Sequence, residues 1–336
     1  MAERHGHMKN NQQQIIDQVE SWLSENRPVW LCTILKTWGS SPRPIGSMLA
    51  STTDGEIIGS LSGGCIEEDF LAQLVSGELK ARFDEDRKPF VIFYGKTEEE
   101  QARLKLPCGG QLDVLLEFID PSNENNAVFR ELVQKLSGHK RISRSIDLSN
   151  GSITARVLDD GEPRTPIKIA DEVLQHELSP MYHLLLLGAG DVARYVAEIS
   201  IALEYEVTLC DPRPRYLENW SVEGVHKTDA LPDDVVREYY DNPYSAIVAL
   251  AHDPRVDDMA LMEALKTKAF YIGAMGSVKT SADRRARLPQ LGLNSEEINR
   301  LHAPIGLQIG SKKPAEIAIS IMAEITAARN YNELRR

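Results

Sequence analysis

A glycine turn between two apolar strands constrains the fold of this chain more than any other feature. His183-Leu-Leu-Leu-Leu187 is a continuous apolar run, which is typical of a strand buried on both faces of a parallel sheet. Gly188-Ala-Gly-Asp-Val-Ala193 follows it, and then come a helical pattern over 192–203 and a second strand pattern, Glu206–Asp211. This is the G-x-G-x-x-A form of the dinucleotide fingerprint in its strand–turn–helix context. It predicts a Rossmann-type domain.

The same stretch contains the groups that a bound dinucleotide would need. Asp211 ends the second strand a little over 20 positions after Gly188, where a carboxylate accepts the ribose 2′-hydroxyl of NAD. Asp191, in contrast, places a negative charge where it would crowd a diphosphate, so the sequence leaves open whether the pocket is occupied. Arg213 and Arg215 either balance that charge or face water. If a dinucleotide binds, we expect NAD rather than NADP, with Gly188, Gly190 and Asp211 as its contacts.

A second strand–glycine–helix junction lies earlier, at Gly59-Ser-Leu-Ser-Gly-Gly-Cys-Ile-Glu-Glu68. Gly63 and Gly64 let a ligand approach the backbone closely, and the first N–H groups of a helix attract anions. We expect Ser62 to be the N-cap and Cys65 to lie in the first turn, where the helix dipole favours the thiolate. The junction therefore predicts an anion cradle that contains a reactive sulfur. The alternative is a glycine turn followed by a buried structural cysteine.

Two further loops of the first half carry chemically active residues. The segment 38–47 holds three small hydroxyls, two prolines and Arg43, whose charge suits a carboxylate or a phosphate; a rigid hairpin connection is the alternative. The segment 105–111 holds Cys108 and two glycines, a second Cys-Gly-Gly element. These cysteines do not indicate a zinc site, because neither has C-x-x-C spacing and no histidine lies near them.

Loops that follow buried strands are expected at the ligand-binding edge of the second domain. His252 is the histidine that the sequence places there, so it is a candidate for acid–base or oxyanion work, although it could instead cap the following helix. Gly273 lies in the next such loop. Gly306 and Gly310 lie in a later loop, which we expect to cross back over the sheet edge so that both glycines lie beside a ligand. A basic helix with Arg284 is expected to face solvent.

Composition narrows the class of protein. The chain has 336 residues, four cysteines and a formal net charge of −12, which argues against binding nucleic acid or an acidic membrane surface. The first ten residues lack the apolar core of a signal peptide, and no apolar run is long enough to span a bilayer. We therefore expect a cytoplasmic, reduced protein with no disulfide framework.

The predicted fold class is α/β in two domains with a site in the cleft between them. An α+β N-terminal domain is expected over 1–120, a connecting segment over 121–180, and the Rossmann-like domain over 181–336.

Seven motifs together resemble the XdhC/CoxI family, the accessory proteins of molybdenum hydroxylases such as xanthine dehydrogenase. The resemblance extends from about residue 12 to residue 330 and rests on the motifs GSSPRPIGSMLAS, GSLSGGCIEE, CGG, GAGDVARYVA, AHDP, YIGAMGS and IGLQIGSKKPAEIAISIMAEI. It implies an N-terminal XdhC/CoxI domain and a C-terminal Rossmann domain. The chain differs from the usual fingerprint at Ala193.

The resemblance also implies a function. The characterised members bind and protect the molybdenum cofactor, help it acquire a terminal sulfur from a cysteine desulfurase, and pass it to an apo-hydroxylase. By this resemblance Cys65 or Cys108 would contact molybdenum or carry sulfur. The other positions that match the motifs are Ser41, Pro42, Arg43, Gly63, Gly64, Gly109 and Gly110. Ser62, beside Gly63, is a further cofactor-binding candidate from the sequence of the turn.

The leading hypothesis is therefore a molybdenum cofactor chaperone for a xanthine-dehydrogenase-type hydroxylase, and a homodimer is one expected form. The chain is not expected to be the dehydrogenase itself, because it has no four-cysteine iron–sulfur pattern. Two alternatives stay open: an NAD(P)-dependent oxidoreductase with His252 as acid–base, and an adaptor that senses a nucleotide through its Rossmann domain.

Overall fold

The computed structural model describes residues 12–38, 43–97, 111–159, 162–251 and 253–335. The chain divides into two compact units, residues 1–180 and 181–336.

The first unit contains a five-stranded antiparallel sheet with the strand order β3-β2-β1-β5-β4. Its strands are β1 (Val29–Trp38), β2 (Met48–Thr52), β3 (Ile57–Gly59), β4 (Phe90–Tyr94) and β5 (Gln111–Ile119). The central strand β1 is buried on both faces. Trp30 and Cys32 pack on one side, and Val29 and Leu31 pack on the other, as the two-residue period of a strand requires.

Helices cover both faces of this sheet. They are α1 (Gln12–Ser24), α2 (Cys65–Ser76) and α3 (Glu78–Asp86). Ile66 and Phe70 of α2 and Leu79 of α3 pack with Trp30, while α1 packs on the opposite face through Ile15 and its neighbours. The junction at Gly59–Gly64 therefore connects the edge strand β3 to a helix that is packed on the sheet.

The segment 121–180 belongs to the first unit. It forms α4 (Asn123–Ser137) and a four-stranded antiparallel sheet of β6 (Ile142–Asp147), β7 (Ile153–Val157), β8 (Ile167–Ala170) and β9 (Val173–Leu178), in the order β7-β6-β9-β8. Phe129, Ile142 and Leu174 are fully buried in the same core as α1. The expectation of a connecting segment therefore needs correction, because its polar and proline-containing stretches are loops of a packed sheet.

The second unit is a parallel sheet with helices on both faces, as predicted. Its strands are β10 (His183–Leu187), β11 (Glu206–Cys210), β12 (Val225–Thr228), β13 (Ser245–Ala249), β14 (Tyr271–Ala274) and β15 (Leu301–His302). The order β12-β11-β10-β13-β14-β15 is the 3-2-1-4-5-6 order of a Rossmann fold. Its helices are α5 (Asp191–Ala202), α6 (Pro214–Glu218), α7 (Pro232–Tyr239), α8 (Pro254–Ala264), α9 (Val278–Arg287), α10 (Ser295–Asn299) and α11 (Pro314–Arg335), with a 3₁₀ turn over Leu288–Leu291.

The two faces of this sheet explain the uninterrupted apolar run of β10. Leu184 and Leu186 point to one core and Leu185 and Leu187 to the other, and all four are fully buried. The chain order reverses between β10 and β13, and folds of this kind bind ligands at that point, beyond the carboxyl ends of the strands.

Candidate functional site

The glycine turn before α2 is organised around one carboxylate. Oε1 of Glu67 accepts the backbone N–H groups of Leu61, Ser62 and Gly63 at 2.8, 2.9 and 3.1 Å, and the Ser60 hydroxyl at 2.8 Å. Its Oε2 accepts the Gly64 N–H at 2.9 Å and the Ser62 hydroxyl at 2.5 Å. The backbone does converge on an anion, as the glycine pattern predicted, but the anion is a side chain of the protein.

This arrangement fixes the ionisation of Glu67 and the start of the helix. Burial by itself would raise the pKa of Glu67, but the hydrogen bonds from Ser62 and Ser60 outweigh it and hold the pKa far below its ordinary value. The helix begins at Cys65 with Gly64 as its N-cap, so the prediction of Ser62 as N-cap is wrong. The Ser62 hydroxyl still accepts the Ile66 N–H, at 3.1 Å. The N–H groups expected to be free for an external anion are therefore already bonded.

Only part of the predicted cofactor site falls within the described residues. Cys65 is described as the first residue of α2, and Arg43 is partly buried where the chain resumes before β2. Outside the described residues lie Ser41, Cys108, Gly109, Gly110 and His252.

A buried histidine that the sequence did not single out anchors the chain next to Arg43. Nε2 of His176, in β9, lies 3.0 Å from the carbonyl oxygen of Gly46, and since a carbonyl only accepts, Nε2 carries the proton. Burial and the charge of Arg144 lower the pKa of His176 to about 3. Arg144 makes a bidentate pair with Glu117, at 2.7 and 3.1 Å. These contacts join the two sheets of the first unit through charged and polar groups that are almost fully buried.

The predicted dinucleotide turn is present in the second unit. Gly188 has φ +101°, and a Cβ there would lie 2.5 Å from Cα of Ala251, so this glycine is required by the close approach of two strand ends. Gly190 is the N-cap of α5, and a Cβ there would meet nothing within 4 Å. Gly188 therefore serves packing, while Gly190 leaves room for a ligand.

Beside this turn lies a cavity of about 550 Å³. Its wall combines two arginines, a carboxylate and aromatic side chains, contributed by Ala189, Gly190, Asp191, Arg194, Arg215, Tyr216, Asn219, Trp220 and Ser221. The Trp220 indole N–H is buried and has no acceptor among the described residues. Cationic donors and aromatic faces suit a phosphorylated nucleoside, although the wall also carries Asp191.

Asp211 is not placed as an open ribose acceptor. Its side chain is fully buried, Oδ2 accepts the Ala189 N–H at 3.0 Å, and both oxygens are bonded by the Arg213 guanidinium at 2.8 Å. Burial alone would raise the pKa of Asp211, but the bonds from Arg213 and Ala189 keep it below its ordinary value. Arg213 thus balances Asp211 rather than Asp191.

The basic helix is α9, and the expectation that Arg284 faces solvent is wrong. Arg284 is 2% exposed; it donates to Asp258 at 2.9 Å, to Asp257 at 3.3 Å and to the Met275 carbonyl at 3.2 Å. Asp257 also accepts the Ala251 N–H at 3.2 Å, directly after β13. Burial raises the pKa of Asp257 to about 6, against the lowering effect of Arg284.

The glycines of the later loops have local structural reasons. A Cβ at Gly273 would lie 2.5 Å from Cδ1 of Ile305, and one at Gly306 would lie 2.4 Å from the Ser320 hydroxyl. Gly310 has open space around it. Their predicted role as ligand contacts stays a prediction.

Two kinds of feature are absent from the described ranges. They contain no group of three or more His, Cys, Asp or Glu side chains that could hold a metal ion. Nor do they contain a helix that is both long and apolar enough to cross a membrane.

The fold and these sites define a two-unit α/β protein, with a Cys-bearing glycine turn in the first unit and a Rossmann unit as the second. Residues 22–77 match the family model described as the XdhC and CoxI family, and residues 184–325 match the one described as the XdhC Rossmann domain. The chain belongs to the XdhC and CoxI family.

Individual proteins show the same likeness along most of the chain. The molybdenum cofactor insertion chaperone PaoD of Escherichia coli (strain K12) is 26% identical over 320 residues, which covers 94% of this chain and 87% of that protein. A Bacillus subtilis (strain 168) protein, described as a probable subunit of xanthine dehydrogenase, is 24% identical over 331 residues, which covers 93% of this chain and 96% of that protein. A crystal structure from Bacillus halodurans, described as a xanthine dehydrogenase, aligns with a TM-score of 0.70 at 23% identity over 96% of each chain. This last likeness concerns the fold.

Proposed function

We propose that this chain is an accessory protein that binds the molybdenum cofactor as cargo and delivers it to a xanthine-dehydrogenase-type hydroxylase. The observation that carries the proposal is the position of Cys65 at the first helical residue after a glycine turn that Glu67 holds in one conformation. Support comes from the relative named a molybdenum cofactor insertion chaperone, whose likeness covers both units.

In this proposal the chain supplies a thiolate ligand from the first residue of α2. A cysteine thiolate is a soft metal ligand, and Cys65 is the described cysteine that begins a helix. Because Glu67 already occupies the N–H groups of residues 61–64, those groups position the turn and do not cradle the cofactor's phosphate. Arg43 and the Cys108 loop stay candidates for the remaining contacts.

The finer part of the proposal is sulfuration. The thiolate of Cys65 or Cys108 would attack the outer sulfur of a cysteine persulfide on the desulfurase. The S–S bond of the desulfurase breaks, a new S–S bond forms on this chain, and the desulfurase cysteine leaves as a thiolate. The hydroxylase would receive the cofactor with its terminal sulfur in place. The hydroxylase and the desulfurase are therefore the proposed partners, and the accessory role is proposed in place of dehydrogenase activity.

Co-expression with an apo-hydroxylase in cells that make the cofactor tests delivery. The chain should co-purify with molybdenum and with pterin fluorescence, and it should raise hydroxylase activity. Cys65→Ala should lower both, whereas Cys210→Ala, a buried cysteine of the other unit, should lower neither. Equal molybdenum content in the wild type and Cys65→Ala would contradict the role of this thiol. Cyanide-labile sulfur in the hydroxylase, measured with and without a co-expressed desulfurase, tests sulfuration separately.

Cysteine reactivity gives an independent test on the isolated protein. Burial raises the pKa of the Cys32 thiol well above its usual value and that of Cys210 to about 12, so both should alkylate slowly. We expect iodoacetamide to modify Cys65 first, then Cys108, and the two strand cysteines last. Peptide mapping in which Cys32 reacts as fast as Cys65 would remove the basis for assigning Cys65.

The cavity beside Gly190 favours a second candidate, nucleotide binding by the Rossmann unit, either as a sensor or for NAD(P)-dependent oxidoreduction with His252. Calorimetry with NAD and NADP tests binding. Reduction of NAD by the isolated protein with a small alcohol or hydroxy acid, lost in His252→Ala, would rank the oxidoreductase above the chaperone.

A further inference from the structure

Three segments of the second unit, β14, β15 and the loop at Gly306, contact the carboxylate of Glu324, in α11. Its Oε1 lies 3.1 Å from Nδ1 of His302, which ends β15. Its Oε2 accepts the hydroxyl of Tyr271, from β14, at 2.5 Å and the backbone N–H of Gly306 at 2.7 Å. The carboxylate is thus held by three donors that come from separate parts of the chain.

This set of partners decides the tautomer of His302. Burial would raise the pKa of Glu324, but the bonds from His302, Tyr271 and Gly306 outweigh it and keep the pKa low, so the group is ionised and only accepts. Nδ1 of His302 must therefore carry the proton. In the neutral ring the lone pair is then on Nε2.

The plane of the ring is fixed by a second contact. The imidazole of His302 stacks on the ring of Tyr271, with centroids 4.5 Å apart and an interplanar angle of 28°. Tyr271 is 1% exposed, so this contact is with a rigid part of the core. The imidazole is oriented through Nδ1 and through one face, and both contacts leave Nε2 available.

The ring of His302 is partly exposed and lies at an edge of the sheet. The side chain of His302 is 39% exposed, and the described part of the chain offers Nε2 no hydrogen-bond partner. His302 pairs in register with Gly273 of β14, at the carboxyl edge of the parallel sheet, where folds of this kind bind ligands. Among the described residues, the titratable groups in contact with the ring are Glu324 and Tyr271.

An anchoring role for helix α11 explains why Glu324 bonds to the Tyr271 hydroxyl and the Gly306 N–H. It does not require an exposed imidazole as a third partner. His226 provides an internal comparison: it is 73% exposed, and its contact with Glu206, at 3.7 Å, is too long to fix a tautomer.

We propose that His302 and Glu324 form an acid–base dyad for a ligand that presents a weakly acidic O–H or S–H group at this sheet edge. Nε2 takes the proton: the ligand's O–H or S–H bond breaks, an N–H bond forms, and the electron pair stays on oxygen or sulfur. Glu324 stabilises the imidazolium that results, as a carboxylate does for the histidine of a catalytic triad. The proton returns by the reverse step. This inference is independent of cofactor delivery.

Hydrolysis of ethyl dichloroacetate by the full-length protein tests the dyad with water as the O–H probe, because an ester with an alkoxide leaving group does not acylate imidazole. A neutral, oriented imidazole should take the proton of the attacking water, and dichloroacetate and ethanol are the products. His302→Asn should lower the rate by about 10-fold, less than the roughly 100-fold lower end of general-base contributions in enzymes, because the site does not position the probe. Glu324→Gln keeps the shape of the side chain but removes the charge, so it should lower the rate several-fold. His226→Asn is the matched control and should leave the rate unchanged.

A second measurement needs no substitution and guards against misfolded variants. Nitrogen-15 NMR of the wild-type imidazoles should show His302 as the Nδ1–H tautomer over its neutral range, with exchange averaging for His226. An Nε2–H tautomer at His302 would overturn the proposal. Equal rate losses in His302→Asn and His226→Asn, or an unchanged rate in a folded Glu324→Gln variant, would overturn it as well.

Discussion

Removal of the Glu67 carboxylate should destabilise the first unit by an amount that the geometry bounds. The carboxylate accepts six hydrogen bonds, all from residues 60–64. A hydrogen bond to a charged group contributes about 1.5–3 kcal/mol. The six share one acceptor and the turn is half open to water, so their contributions do not add. We expect Glu67→Ala to lower the free energy of unfolding by about 2–4 kcal/mol, more than a single hydrogen bond to a charged group contributes and far less than six.

The isosteric change has a smaller expected effect. In Glu67→Gln one oxygen still accepts, but the amide NH₂ faces backbone N–H donors, so we expect a loss of about 1–3 kcal/mol. Glu68→Gln is the matched control, because Glu68 is exposed on the same helical turn and its change should fall within about 0.5 kcal/mol.

Urea unfolding followed by tryptophan fluorescence is the assay, since Trp30 lies in the same core as Leu61 and Ile66. Because the pKa of Glu67 is lowered on folding, its stabilisation is present above about pH 4.3, the ordinary glutamate value. It is lost as the pH falls further, so the difference between wild type and Glu67→Gln should shrink in acid. A Glu67→Ala variant as stable as Glu68→Gln at pH 7 would refute the assignment of Glu67 as the anion that holds the turn.

Three further predictions use the same unfolding assay. Because folding lowers the pKa of His176, its contribution to the free energy of unfolding is complete above about pH 6.5 and is lost toward pH 3, at about 1.4 kcal/mol per pH unit. His176→Gln should flatten this pH dependence of stability, and an unchanged slope would contradict the prediction. Gly188→Ala should cost about 2–4 kcal/mol because its Cβ would meet the backbone of Ala251, whereas Gly190→Ala should cost less than about 1 kcal/mol; equal costs would count against this contrast. Glu117→Gln or Arg144→Met alone should lower the free energy of unfolding by about 3–5 kcal/mol, because a single change leaves a buried charge unpaired. The double variant should lose less than either single variant, and additive losses would show that the two side chains do not form a pair.

The Rossmann unit could be predicted from the sequence because its sequence signals are local. The uninterrupted apolar run 183–187, the glycine turn 188–193 and the second strand each follow from neighbouring residues, and the strand order confirmed the fold. The two-residue strand β15 has no periodicity to detect, so the position of His302 at the sheet edge could not be predicted. The segment 121–180 was expected to connect two domains, but its helix and strands pack in the core of the first unit, which only contacts between distant residues decide.

In the glycine turn before α2, the sequence predicted that backbone N–H groups converge but did not predict which anion they bind. Gly63 and Gly64 correctly indicated the converging N–H groups, and the anion is the side chain of Glu67. In a capping box, a glutamate at the third helical position accepts the N–H of the N-cap residue, as Glu67 does with Gly64. The sequence signal for such a box has Ser or Thr at the N-cap, so glycine at position 64 gave no local indication of the role of Glu67.

Other features were decided by tertiary contacts between residues far apart in the chain. Arg284 is separated from Asp258 by 26 residues, His302 from Glu324 by 22, and Arg144 from Glu117 by 27. The sequence shows only that each of these side chains can carry a charge or a proton. The packing of distant elements determines whether such a group is buried and paired with an opposite charge, as Arg284 is, or oriented with one atom left open to solvent, as His302 is. The reason is that desolvation and pairing depend on which surfaces the fold brings together.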